Sequence, residues 1–150
     1  MDPNGKLAVV TGAAGGIGGG LVSALIDAGA TLVVAVDLTT DGLPSGGSVL
    51  ARALDVTDEA ATVALVEEIE SQHGPIDLWF ANAGIAHGGG VDAPNEVWQR
   101  QWEVNLMSHV YAARALFPGW TARGEGHLIT TASMAGILTT LGDGVYAATK

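Results

Sequence analysis

Cysteine is absent from these 150 residues, which excludes disulfides and thiolate metal ligands and deprives a structural zinc of its usual donors. Lysine and arginine are scarce, six against sixteen Asp and Glu, and the resulting net charge of −10 repels nucleic-acid phosphates and anionic lipid headgroups. Neither nucleic acid nor a membrane is expected as a partner. No apolar run approaches the ~18 residues of a membrane span, the longest being Thr31 to Val36 and Ile76 to Ala83. Met1 to Lys6 is polar and lacks the basic and apolar regions of a secretory signal, so a cytoplasmic location is expected. The four histidines, His73, His87, His109 and His127, are scattered without ligand spacing, and no metal site is expected.

Apolar residues are plentiful, at 48% with a mean hydropathy of +0.34, enough to fill the core of one domain over residues 1–150. Short Val-, Leu- and Ile-rich runs alternate with longer segments of helical period. This pattern predicts α/β architecture, a doubly wound and mainly parallel sheet of five strands near 6–11, 31–36, 48–54, 76–81 and 126–132. A helix over 17–28 presents Ile17, Leu21, Leu25 and Ala28 as one stripe and stops at Gly29. A second, over 58–72, opens at Thr57 or Asp58 as N-cap and ends before Gly74-Pro75. A long helical region over 95–122 is expected to break near Pro118. Trp98 and Trp102, four apart, are read as packing residues. Gly42 to Gly47 is a loop, while Gly88 to Gly90 is either a loop or part of a pocket wall.

Thr11-Gly12-Ala13-Ala14-Gly15-Gly16-Ile17-Gly18 joins the first strand to the first helix. Gly12 and Gly16 leave out the Cβ atoms that would block a tight turn and a close approach to a pyrophosphate. Gly18 lets helix and strand lie close, and the helix start offers free N–H donors to an anion. Asp37 closes the second strand 19 residues after Gly18, where a carboxylate can accept from both ribose hydroxyls of an adenosine. A 2′-phosphate would meet a like charge there, with no arginine at Gly15 or Leu38 to neutralise it. The cofactor this predicts is NAD.

In this order the motifs resemble the classical short-chain dehydrogenases/reductases, and the resemblance covers essentially the whole chain. It is carried by Thr11 to Gly18, Asp37, Asp55-Val56, Asn82-Ala83-Gly84, Asn105 within Val104-Asn105-Leu106, Ser133, and Tyr146 with Lys150 as a Y-x-x-x-K pair. The resemblance implies a Rossmann fold in which Gly12, Gly16, Ile17, Gly18 and Asp37 bind the cofactor. It also implies that Asp55 bonds the adenine amino group, that Val56 offers backbone contact, and that Asn82, Ala83 and Gly84 let the cofactor lie against the strand ends. Read alone, Asp55 with Thr57 and Asp58 is a helix-capping loop, and Asn82 to Gly84 is equally a β-turn. Asn105 suits either a satisfied buried amide or, by the resemblance, a proton relay.

Tyr146 is the expected acid/base. A free phenol has pKa ~10, so work near neutral pH needs about 4 kcal/mol of preference for the phenolate. Lys150, four residues on, falls on the same helix face, and its ammonium together with an oxidised nicotinamide supplies much of that preference. Lys150 also binds the ribose by the resemblance. Ser133 would donate to the substrate oxygen and steady developing charge. The reaction expected is reversible hydride transfer between NAD and a secondary alcohol or ketone, and the resemblance also implies a homo-oligomer (dimer or tetramer). Relatives continue past this lysine, so the 150 residues alone are expected to show no measurable turnover. A non-catalytic nucleotide-binding or interaction module is the alternative should the chain naturally end at Lys150.

Overall fold

A computed structural model of the chain describes residues 1–138 and 141–150. Five parallel strands form one sheet in the order β3-β2-β1-β4-β5. They are β1 (Leu7–Thr11), β2 (Leu32–Asp37), β3 (Val49–Ala53), β4 (Leu78–Ala81) and β5 (His127–Thr130), each within two residues of its expected start. The chain moves outward from β1 to β2 and β3, then returns to lay β4 on the other side of β1. This reversal opens a crevice at the carboxyl ends of β1 and β4.

Alternation along the strands sorts the core into two layers. Val9, Val34, Val36 and Trp79 face the layer holding α2 (Glu59–His73) and α4 (Ser108–Arg123). Ala8, Val10, Val33, Ala35 and Phe80 pack against Val22 and Leu25 of α1 (Gly16–Asp27). Strands β1 and β4 are buried throughout, as a parallel sheet covered on both faces requires. Asp58, the second of the two expected caps, accepts from the Ala61 amide at 2.9 Å and starts α2. No helix among the described residues is long and apolar enough to cross a membrane.

The long helical region differs from expectation in two ways. It does not break at Pro118, which lies inside α4. Pro118 is exposed, so the carbonyl that loses its N–H partner can turn to water. The irregularity falls earlier, where α3 (Asn95–Trp102) passes into a π-helical segment, Glu103–Met107, before α4. The inward stripe is Gln101, Val104, Asn105, Ser108, Ala112, Leu116 and Trp120, all buried. Three of its first four members are polar, which hides it from a hydrophobic pattern. Trp102 consequently points outward, 45% exposed, and Trp98 is half-buried. At the far end of α4, the Trp120 indole donates to the Ile76 carbonyl at 2.7 Å and pins the helix to the start of β4.

Candidate active site

Carboxyl ends of all five strands face one cavity of about 420 Å³. Its wall includes Gly12, Gly16, Ile17, Gly18, Asp37, Asp55, Val56, Asn82, Ala83, Gly84, Tyr146 and Lys150, each of the cofactor-site residues expected from sequence. Asn105 and Ser133 are not part of that wall.

The glycine-rich loop after β1 owes its shape to two glycines. Gly12 has φ +68°, and a Cβ there would stand 2.9 Å from the Ala83 Cα. A Cβ on Gly18 would stand 2.0 Å from the Gly12 carbonyl oxygen, a backbone atom that cannot retreat. Gly16 is different, since a Cβ there meets nothing within 4 Å. Its lack of a side chain keeps the cavity clear without relieving any clash inside the protein. Helix α1 starts at Gly16 with no side-chain cap, so its first N–H groups remain as donors beside the cavity.

Asp37 serves the loop as well as the cavity. One carboxylate oxygen accepts from the Ala14 amide at 2.9 Å, the other from the Leu38 amide at 2.8 Å. Each oxygen keeps a lone pair for a further donor. At the end of β3, Asp55 accepts from the Thr57 amide at 3.0 Å and hydroxyl at 2.8 Å, the capping-loop geometry. Arg100 of α3 approaches the other Asp55 oxygen at 3.7 Å. Burial alone would raise this carboxyl, but the two Thr57 bonds and the Arg100 guanidinium together hold it below the ordinary carboxylate value.

A chain of hydrogen bonds ties the strand ends together. The Thr11 hydroxyl donates to the Phe80 carbonyl at 3.1 Å and accepts from the Asn82 and Ala83 amides at 3.0 and 3.1 Å. The Asn82 side-chain amide donates to the Thr11 carbonyl at 3.0 Å, and its oxygen accepts from the Thr131 hydroxyl at 2.9 Å. The Thr131 carbonyl in turn accepts from Lys150 Nζ at 3.1 Å. Asn82 thus clasps β1, β4 and the end of β5. Burial pushes the Lys150 ammonium pKa down from its ordinary value.

Tyr146 lies on the short helix α5 (Gly144–Thr149), and Lys150 Nζ stands 6.0 Å from the centre of its ring. Gly84 fits against this lysine, since a Cβ on it would come within 2.9 Å of Nζ. Asn105 sits behind the wall within the π-helical segment, 1% exposed. Its oxygen accepts from the Ile85 amide at 2.8 Å, and its nitrogen donates to the Ile85 carbonyl and to the Thr149 hydroxyl, both at 2.9 Å. Ser133 follows β5 and accepts from the Ala135 amide at 3.2 Å, capping a single 3₁₀ turn over Met134–Gly136. The open Gly88–Gly90 question resolves toward connection: the Gly89 amide donates to the Gly142 carbonyl at 2.9 Å, and none of the three lines the cavity.

Sequence reasoning missed Arg100, Thr131, Ile85 and Thr149. Thr131 stands two residues before Ser133 and carried a signal in its strand-end position. Arg100 meets Asp55 across 45 residues of chain, and no local spacing announces that.

The family model for short chain dehydrogenases matches residues 6–150. The chain is 37% identical over 155 aligned positions to 1-deoxy-11-beta-hydroxypentalenate dehydrogenase of Streptomyces avermitilis, covering 95% of this chain and 57% of that protein. It is 35% identical to 2-keto-3-deoxy-L-fuconate dehydrogenase of Xanthomonas campestris pv. campestris, covering 87% and 44%. The chain therefore spans about half the length of these relatives. Among solved structures, a short chain dehydrogenase/reductase from Burkholderia phymatum in complex with NAD superposes with a TM-score of 0.90 at 29% identity, over 99% of this chain and 56% of that one. The LigO apo form from Sphingobium sp. strain SYK-6 gives 0.90 at 31%, over 100% and 59%. By sequence and by fold, the chain belongs to the short chain dehydrogenase family.

Proposed function

We propose that the protein transfers a hydride between NAD and a secondary alcohol or ketone, with Tyr146 as acid/base. The observation that supports this most is the meeting of Tyr146 and Lys150 with the phosphate loop and Asp37 on the wall of one cavity. The residues fit a dinucleotide. Uncapped N–H groups at Gly16 and the open space above it suit a pyrophosphate, Asp37 suits the adenosine ribose, and Asp55 with Val56 suits the adenine edge. Asp37 opposes a 2′-phosphate, and the cavity's arginine, Arg100, is already paired with Asp55, so the non-phosphorylated cofactor is favoured.

When bound, the nicotinamide supplies the hydride acceptor or donor. Tyr146 then takes or gives the hydroxyl proton, with the Lys150 ammonium beside its ring. Lys150, braced by the Thr131 carbonyl, holds that charge in place and offers its remaining protons to a ribose. Ser133 is assigned the donor to the substrate oxygen, and Asn105 a relay behind Lys150. Assembly into a homo-oligomer belongs to the same reading. It is supported by an apolar surface on α4 bearing Val110, Ala113 and an exposed Phe117, and sedimentation velocity tests it.

The deciding experiment follows NADH absorbance over a panel of secondary alcohols and ketones, using the full-length protein and its Tyr146→Phe variant. Turnover should vanish while NAD binding stays within a few-fold; turnover within threefold of the parent rejects the assignment. Titrating NAD and NADP in parallel tests the cofactor, and a parent protein that prefers NADP would overturn that part.

A further inference from the structure

We infer that Thr149 is a positioning residue for Tyr146 and Lys150, acting through its hydroxyl; the inference rests on the reading above. Helix α5 starts at Gly144 with no side-chain cap. Hydrogen bonds from outside the helix reach the turn that carries Tyr146. The Thr149 hydroxyl, on a side chain 5% exposed, donates to the Tyr146 carbonyl at 3.0 Å and accepts from Asn105 at 2.9 Å. Donation from threonine to a carbonyl one turn back is ordinary helix behaviour. Acceptance from an amide 44 residues away, inside a buried wall, is not.

Asn105 cannot move to suit the helix. Its other two bonds are to the amide and carbonyl of Ile85, which lines the cavity directly after Gly84. The π-helical segment around Asn105 is braced by Ser108, whose hydroxyl donates to the Val104 carbonyl at 2.7 Å. One rigid line therefore runs from the β4 exit through Asn105 to the Thr149 hydroxyl. From there it reaches the Tyr146 backbone on one side and, one residue on, Lys150.

This makes different demands on the hydroxyl and the methyl of Thr149. Thr149→Val keeps the shape and deletes the hydroxyl, leaving one Asn105 proton unpaired in a buried site. Thr149→Ser keeps the hydroxyl and deletes the methyl. In the full-length protein Thr149→Val should lower kcat 10- to 100-fold with KM for NAD changed less than threefold. It should also move the acid limb of the kcat profile for alcohol oxidation to higher pH, because Lys150 is then held less firmly beside the Tyr146 ring. Thr149→Ser should return kcat to within threefold of the parent and restore the profile. Should Thr149→Val fail to fold, Thr149→Ala takes its place, with the same loss expected relative to Thr149→Ser. Equal kcat in the valine (or alanine) and serine variants, whether both high or both low, overturns the inference, as does a loss that appears in KM alone. Tyr146→Phe runs alongside, so that turnover surviving there marks failure of the catalytic reading instead.

Discussion

The phosphate loop and the Tyr146 segment face one cavity, and they are held there by different means. The loop is shaped mainly by its own backbone, with Gly12 at positive φ and Gly18 against the Gly12 carbonyl, and is tied to β2 by the Ala14 amide on the Asp37 carboxylate. The Tyr146 segment is tied to groups from elsewhere in the chain, to the Asn105 side chain through Thr149 and to the Thr131 carbonyl through Lys150. Local sterics are all-or-none, whereas long-range hydrogen bonds can be removed one at a time.

The sharpest way to test the first region compares two glycines of α1. Gly18→Ala drives a Cβ to 2.0 Å from the Gly12 oxygen and should cost about 3 kcal/mol or more, lowering Tm by on the order of 10 °C. Gly20→Ala meets nothing within 4 Å and should raise stability by about 0.5–1 kcal/mol through helix propensity. Thermal unfolding of the two variants measures both. Equal Tm values would mean that backbone contact does not shape the loop.

A smaller effect is expected at the seam between the regions. Thr11→Val removes the acceptor for the Ala83 amide and one donor bond to the Phe80 carbonyl, so about 2 kcal/mol of stability should go, with weaker NAD binding. Thr11→Ser keeps the hydroxyl and should lose less than half of that. Isothermal titration with NAD and urea unfolding separate the two losses; serine behaving like valine would assign the effect to the methyl.

The difference between the regions also explains what could be read from the sequence. Gly12 and Gly18 announce themselves because their geometry is local, a strand, a turn and a helix lying within a few residues of each other, and Asp37 because it closes the next strand. Helix α2 was equally legible, from Asp58 to the Gly74-Pro75 stop. The stripe that buries α3 and α4 was not, because Gln101, Asn105 and Ser108 occupy core positions and look like surface in a hydropathy pattern. Pro118 misled for the converse reason. A proline on the solvent side of a helix already packed by Leu116 and Trp120 costs too little to end it. Thr149 passed unremarked between Tyr146 and Lys150, since its partner is 44 residues away.

The smallest expected effect concerns pH and lies in the second region. His109 follows Ser108 on α4, with Nε2 buried and without a hydrogen-bond partner among the described residues. Burial, and secondly the charge on Lys150, hold its pKa below the ordinary 6.5. The unfolded chain binds its proton near the ordinary value, so between that pH and the lower folded value the unfolded state carries more protons. Stability is then full above about pH 7.5 and declines as the pH falls through 6.5. Solvent reaching the half-buried ring keeps the slope below the one-proton limit of about 1.4 kcal/mol per pH unit. His109→Leu should leave Tm at pH 7.5 unchanged or slightly higher, because it removes a buried nitrogen that makes no bond. It should also flatten the Tm profile between pH 7.5 and 5.5 by a few degrees relative to the parent. Parallel profiles for the two proteins over that range would show that His109 titrates alike folded and unfolded, and the pH sensitivity would then have to be sought among the carboxylates.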